Sequence, residues 1–370
     1  MHSTATRYLR TILIASIGMI AAVLALTLLV DPYGTAPFHI TIPKVNAVRT
    51  ERASVDRLVK PYDIILRQPK TLLIGTSRVK EGLDPAALDG TALAPAYNAG
   101  IDFLTVPGTA DLLRFVLPRT PSVRVVLIEA NFQHFYSGPR ALDMPHGAAD
   151  LMHDYVSMFL SHSAVAAALR TVAQNKSYQG FNQWLHPDGL VEIWPQDFEY
   201  DKEHFINHVI NPATRTNRFR IRERQIQWFA DIGALCERHH VRCEYFIAPY
   251  NPLDLAQWAV AGQWEALEEA KRFMVRHGTV WDFSLYSDVT DYRNAHRYWW
   301  DINHFNLQVG GWMLRIMAGK RPPDAPAEFG LQLTRDNLPV VLTRWSQDRD
   351  RWLATNSDLK DRVARALNRN

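Results

Sequence analysis

The longest apolar pattern in the chain lies near its start. From Thr11 to Val30 there is no charged side chain, and Ile, Leu, Val and Ala dominate. A run of about twenty such residues crosses the hydrocarbon core of a bilayer as a helix. Arg7 and Arg10 precede it and Asp31 follows it. The positive-inside rule then puts the N-terminus in the cytoplasm and the remainder outside. A cleaved signal peptide is the competing reading. Its apolar core is usually shorter, roughly 7–15 residues, and ends in a small-x-small site. Here the run ends in Leu28-Leu29-Val30-Asp31-Pro32, so the pattern favours a retained anchor over residues 1–30. No second run approaches this length. The expectation is a single-pass protein of the cytoplasmic (inner) membrane with a soluble periplasmic, or otherwise extracytoplasmic, domain.

Residues 31–70 read as a juxtamembrane connector, with Pro32, Gly34, Pro37 and Pro43 followed by a charged, helix-compatible stretch from Val48 to Val59. At Thr71 the rhythm changes. Short apolar runs at Leu72–Ile74, Ala96–Ile101, Val123–Ile128, Cys243–Ala248 and Val280–Phe283 suit strands buried on both faces of a parallel sheet. Helix-compatible segments separate them: Thr109–Leu117, a stripe of Ile226, Phe229, Ile232 and Cys236, then Leu253–His277, with Leu307–Met317 after the last. Alternation of this kind predicts an α/β fold with a doubly wound, mostly parallel sheet over residues 71–320. A mixed stretch at about 135–218, carrying Trp184, Trp194 and several histidines, interrupts the rhythm and reads as an inserted, largely helical subdomain. Residues 320–326 read as a linker. Beyond them Leu342, Trp345 and Trp352 sit at helical spacing in a tail that closes the 321–370 region.

Composition narrows the function. In 370 residues, a hydrophobic content of 47% is ample for a core, and a net charge of +3 leaves no nucleic-acid footprint. With only Cys236 and Cys243 there is no disulfide-dense scaffold and no cysteine zinc site. The two could pair in an oxidising compartment, but the expectation is two buried free thiols. Several of the eleven tryptophans could line a carbohydrate cleft, although most are expected in the core. The run Arg215, Arg218, Arg220, Arg222 and Arg224 reads as a solvated basic start to a helix. His146 and His153 share a helix face and His239-His240 are adjacent, but neither pair has a carboxylate at ligand spacing. The expectation is no metal and no organic cofactor.

The chemistry concentrates at the strand ends. Leu72-Leu73-Ile74 runs into Gly75-Thr76-Ser77-Arg78, the way a strand ends when it presents a serine at the start of a helix. Far along the chain, Asp301-Ile302-Asn303-His304 holds a carboxylate and an imidazole three residues apart. A serine nucleophile needs a base, and the base needs an orienting acid. In an open α/β sheet such groups gather at the carboxyl ends of the strands. Ser77 ends the first strand, Gly100 the second, Asn131 lies just past the third, and Asp301 and His304 follow the fifth. The plainer readings are a helix-capping Ser77 and a structural His304 tied to Asp301. Arg78 is expected to pair with a carboxylate such as Glu81.

These stretches resemble the SGNH (GDSL-type) hydrolase superfamily, and within it the membrane-anchored bacterial proteins associated with cell-surface polysaccharide acylation. The resembling parts are Asp31-Pro32-Tyr33-Gly34, Leu73-Ile74-Gly75-Thr76-Ser77-Arg78, Tyr97-Asn98-Ala99-Gly100 and Tyr298-Trp299-Trp300-Asp301-Ile302-Asn303-His304-Phe305. The resemblance implies a flavodoxin-like three-layer fold, with Ser77 as nucleophile, His304 as general base and Asp301 as its orienter. It also implies an oxyanion hole from the backbone N–H groups of Ser77 and Gly100. The sequence departs from the family where Thr76 stands for the Asp of GDSL, and where Glu129-Ala130-Asn131-Phe132 replaces the Gly-x-Asn-Asp block. Asn131 is then the candidate third oxyanion donor. The implied activity is serine-based acyl transfer, as O-acetyltransferase or acetylesterase, on an exported or surface polysaccharide. A glycan acceptor and a membrane-bound O-acyltransferase are the implied partners. The alternative is a non-catalytic scaffold or assembly protein of a polysaccharide modification or export system.

Overall fold

The computed structural model describes residues 2–36, 38, 40–135, 148–177, 183–193, 201–210, 221 and 223–367. The elements begin with α1 (His2–Val30), α2 (Asp56–Arg67), β1 (Thr71–Ile74), α3 (Ser77–Gly82), β2 (Ala96–Asn98), α4 (Val106–Val116) and β3 (Val125–Glu129). Then come α5 (Ala148–Leu160), α6 (His162–Ser177), β4 (Gln183–Leu185), β5 (Val191–Ile193), α7 (Lys202–Val209), α8 (Glu223–Arg238) and β6 (Arg242–Ile247). The last are α9 (Pro252–Val260), α10 (Trp264–His277), β7 (Thr279–Asp282), α11 (Ala295–Tyr298), α12 (Leu307–Met317), β8 (Leu331–Leu333), α13 (Leu338–Thr355) and α14 (Ser357–Leu367). They fall into two compact units. One combines Met1–Asp63, Asp143–His186 and Val191–Pro195; the other combines Ile64–Leu142, Pro187–Leu190 and Gln196–Asn370.

The larger unit is built on a six-stranded sheet in the order β2-β1-β3-β6-β7-β8. All neighbours are parallel except β7 and β8. The order reverses at β1, which pairs Leu73 with Asn98 on one side and with Leu127 on the other. Every residue of β1 and β3 is buried, which is why these strands read as unbroken apolar runs rather than alternating ones. Side chains from the strands and the following helices, among them Leu73, Val79, Leu127, Phe246, Val309 and Met313, form one core cluster. A charge pair is also fully buried in this unit: Lys271 Nζ donates to Asp282 Oδ2 at 2.6 Å, and lies 3.4 Å from the centre of the Trp345 ring.

Two expectations change here and one is extended. The second strand stops at Asn98 rather than Ile101, because the Asn98 side chain turns into α3 and accepts from Gly100 N at 2.9 Å. Residues 321–370 hold the expected helical tail, as α13 and α14, and add a strand to it. β8 adds an antiparallel edge to β7, and Leu338, Leu342, Trp345 and Trp352 of α13 are buried. Cys236 and Cys243 are not free thiols but a disulfide. Val241 N donates to Cys236 O at 2.9 Å, and the turn through His240, at φ 53°, brings the two Cα atoms to 6.2 Å. Chain reversal of this kind is not visible in a spacing of seven. Six of the tryptophans are core residues: Trp258, Trp264, Trp299, Trp312, Trp345 and Trp352 are buried.

In the smaller unit, α1 is exposed from Ala5 to Ala22 and is covered on one side from Val23 onwards, with Ala25 and Leu29 still exposed. Its last turns pack on α5 and α6. Leu24 and Leu28 lie against the cluster of Met158, Phe159, Ala164 and Ala167, and Thr27 Oγ1 donates to Phe159 O at 2.9 Å. β4 and β5 form an antiparallel hairpin. Of the expected insert at 135–218, α5, α6 and this hairpin fall in the smaller unit, whereas α7 belongs to the larger. Trp194, His146 and the arginines from 215 to 222 lie outside the described residues.

Candidate active site

The turn after β1 is shaped by crowding. A Cβ on Gly75 would sit 2.3 Å from Val79 Cγ2 and 2.6 Å from Glu129 Cβ, so only glycine fits. Thr76 follows in extended conformation as the N-cap of α3, and its carbonyl accepts from Val79 N and Lys80 N, both at 3.0 Å. Glu129, at the end of β3, fixes this turn from below. Its Oε2 accepts from Thr76 N at 2.6 Å and Thr76 Oγ1 at 2.8 Å. Ser77 is thereby the first residue of α3 rather than its cap. Its hydroxyl is turned away from the helix to His304, with Oγ 2.8 Å from Nε2.

The loop carrying the histidine closes on itself. Trp299 and Phe305 form an antiparallel bridge, and Trp300 N donates to His304 O at 2.7 Å. Asp301 Oδ1 accepts from Asn303 N at 2.6 Å and His304 N at 2.8 Å, a local turn of the kind aspartate favours. This leaves Oδ2 for His304 Nδ1, at 2.8 Å. The carboxylate therefore holds both the backbone of the turn and the orientation of the ring. Ser77, His304 and Asp301 meet as expected, and the plainer reading of a capping serine does not apply.

Electrostatics favour a protonatable base. Burial alone would lower the His304 pKa, but the hydrogen bond and charge of Asp301, with Glu81 adding to them, raise it above the ordinary histidine value. For Asp301, burial works against ionisation, yet the bonds from His304 and the backbone hold its carboxyl below the usual range. Glu81 is different. Burial pushes it up, against the pull of His304 and Lys80. Its Oε2 is 3.9 Å from His304 Nε2, and among the described residues no hydrogen bond reaches it.

The expected oxyanion donors are placed less uniformly. Ser77 N–H opens the first turn of α3, where a helix leaves its amides without carbonyl partners. Gly100 N instead donates to Asn98 Oδ1 at 2.9 Å, while the Asn98 amide donates to Val79 O at 2.6 Å and Leu83 O at 2.7 Å. A Cβ on Gly100 would lie 2.3 Å from Lys80 N, so the glycine admits a close approach of α3. Asn131 is 1% exposed; its amide donates to Glu129 Oε1 and its carbonyl oxygen accepts from Ala248 N at 3.1 Å. The bonds observed for Asn131 tie β3 to β6 and steady Glu129. Arg78 does not pair with Glu81. Its guanidinium lies 4.7 Å above the Tyr250 ring and donates to Pro249 O at 3.3 Å.

Sequence reasoning gave no site role to five side chains. Glu129 was legible as a lone carboxylate ending the apolar run Val125-Val126-Leu127-Ile128. Asn98, Glu81 and the pair of Lys80 Nζ with Asp102 Oδ2, at 2.7 Å, carried no such signal. Among the described residues no group of three or more His, Cys, Asp or Glu is arranged to hold a metal ion. Comparison with protein-family profiles, with curated proteins and with solved structures finds no match.

Proposed function

We propose that this chain is a membrane-anchored, extracytoplasmic SGNH-like enzyme that transfers O-acyl groups on an exported or cell-surface polysaccharide. The observation that carries the reading is the relay from Ser77 Oγ to His304 Nε2 and from His304 Nδ1 to Asp301, both links at 2.8 Å. Ser77 Oγ attacks an ester carbonyl carbon while its proton passes to His304 Nε2. The tetrahedral oxyanion forms beside Ser77 N–H. Its collapse breaks the bond to the leaving alcohol, which takes the proton back from His304. The acyl-serine is then resolved by a second hydroxyl, deprotonated by the same nitrogen. Placement of Ser77 at the carboxyl end of β1, where the strand order reverses, supports a ligand site there. The 26-residue apolar helix Ala5–Val30 supports the anchor, and the Cys236–Cys243 disulfide supports an oxidising compartment.

Tethering favours a transferase over a plain esterase. An anchored domain gains effective concentration toward an acyl donor delivered at the same membrane, as by a membrane-bound O-acyltransferase; a hydrolase that uses water gains nothing from it. A second reading, a non-catalytic scaffold of a polysaccharide modification system, draws on the bonds already made by Gly100 N and the Asn131 amide. A serine-directed phosphonate separates the two. An adduct on Ser77, absent in S77A, supports the enzyme. A folded protein with no adduct at any pH from 6 to 9 supports the scaffold.

A further inference from the structure

Whatever packs against a membrane-embedded turn of a helix is itself at membrane depth. Arg10 holds the start of α1 at the headgroups on one side, so the hydrocarbon begins near Thr11. At about 1.5 Å per residue, some twenty residues carry the helix to the far side near Val30. The turns that pack on α5 and α6, through Leu24, Thr27 and Leu28, therefore lie within the outer half of the bilayer. Phe159 meets Thr27 there, and the α5–α6 junction follows at once. Another side of α5 is left uncovered by the described residues. Met152, Val156 and Leu160 recur at four-residue steps and are exposed by 62%, 40% and 40%, with Leu169 of α6 exposed by 58%.

The two helices do not form a second span. They bend by 51° at Ser161, and α6 carries Arg170, which pairs with Glu51 at 2.6 Å. Its far end is tied to the connector outside the bilayer, where Asn175 accepts from Val48 N at 2.9 Å and donates to Val48 O at 2.7 Å. Helices with an apolar face and a polar, anchored face lie at the headgroup–acyl boundary. We propose that Met152, Val156 and Leu160 contact lipid acyl chains of the outer leaflet, so that α5 and α6 seat the smaller unit in the membrane beside α1. Two attachments, a span and a wedge, restrict the swing that a lone helix would allow.

This inference rests on the reading of α1 as a membrane span, and the test separates the two. The full chain carries single cysteines at Ile17, Met152, Val156, Leu160 or Val340, each bearing an NBD fluorophore; the native cysteines are paired and do not react. The proteins are placed in nanodiscs whose phospholipids are brominated on their acyl chains. The expected result is loss of emission at 152, 156 and 160 comparable with that at 17, and none at 340, which is quenched by aqueous iodide instead. Quenching at 17 with iodide access at 152, 156 and 160 overturns the inference and leaves the anchor standing. Protection of those three sites from both quenchers means a protein covers them, and also overturns it. Iodide access at 17 removes the span, and the inference with it.

Discussion

Glu81 Oε2 lies 3.9 Å from His304 Nε2, the ring nitrogen that faces Ser77. Two carboxylates thus bracket one imidazole, Asp301 at Nδ1 and Glu81 at Nε2, and both favour the imidazolium. The free base is what activates Ser77, so activity falls as pH drops through the raised His304 pKa. Replacing Glu81 by Gln removes one of the anions that raise it. The acid limb of kcat/KM against pH for an activated acetyl ester is expected to move to lower pH in E81Q, with the plateau changed by about tenfold or less. An unmoved acid limb removes Glu81 from the electrostatics of the base.

Asp301→Asn isolates orientation from folding. The amide oxygen can still accept from Asn303 N and His304 N, so the turn survives. The amide nitrogen would face His304 Nδ1–H, a donor against a donor, and the ring turns or takes the wrong tautomer. Turnover and phosphonate labelling are expected to fall by about 10²- to 10⁴-fold with the melting temperature nearly unchanged. Full labelling in D301N assigns Asp301 to the turn alone.

Glu129→Gln tests the support beneath the nucleophile. One glutamate accepts from Thr76 N, Thr76 Oγ1 and Asn131 Nδ2. A glutamine presents an N–H group to one of these donors, and Asn131 cannot flip without losing its bond from Ala248 N. Each stranded donor in a buried site costs about 1–3 kcal/mol. E129Q is expected to melt at lower temperature and to label more slowly at Ser77, because Gly75-Thr76-Ser77 loses its clamp. Wild-type values for both in urea denaturation and labelling would show that the clamp is dispensable.

The sequence by itself determined what depends on neighbours along the chain. The uncharged run before Val30, the buried parallel strands, the glycine turn before Ser77 and the Asp301–His304 spacing are local patterns, and local sterics and hydrophobic periodicity fix them. It also brought Ser77 and His304 to one edge, since strand ends of a parallel sheet share that edge. What the sequence left open depends on groups meeting across the fold. Glu129 reaches Thr76 from another strand, 53 positions along the chain. Asn98 takes up Gly100 N, Lys271 finds Asp282 inside a core of aromatic rings, and Cys236 meets Cys243 only because the chain turns at His240. The C-terminal residues show the same division. The spacing of Leu342, Trp345 and Trp352 marks a helix with an apolar face, but what that face covers is decided by packing, which no single stretch encodes.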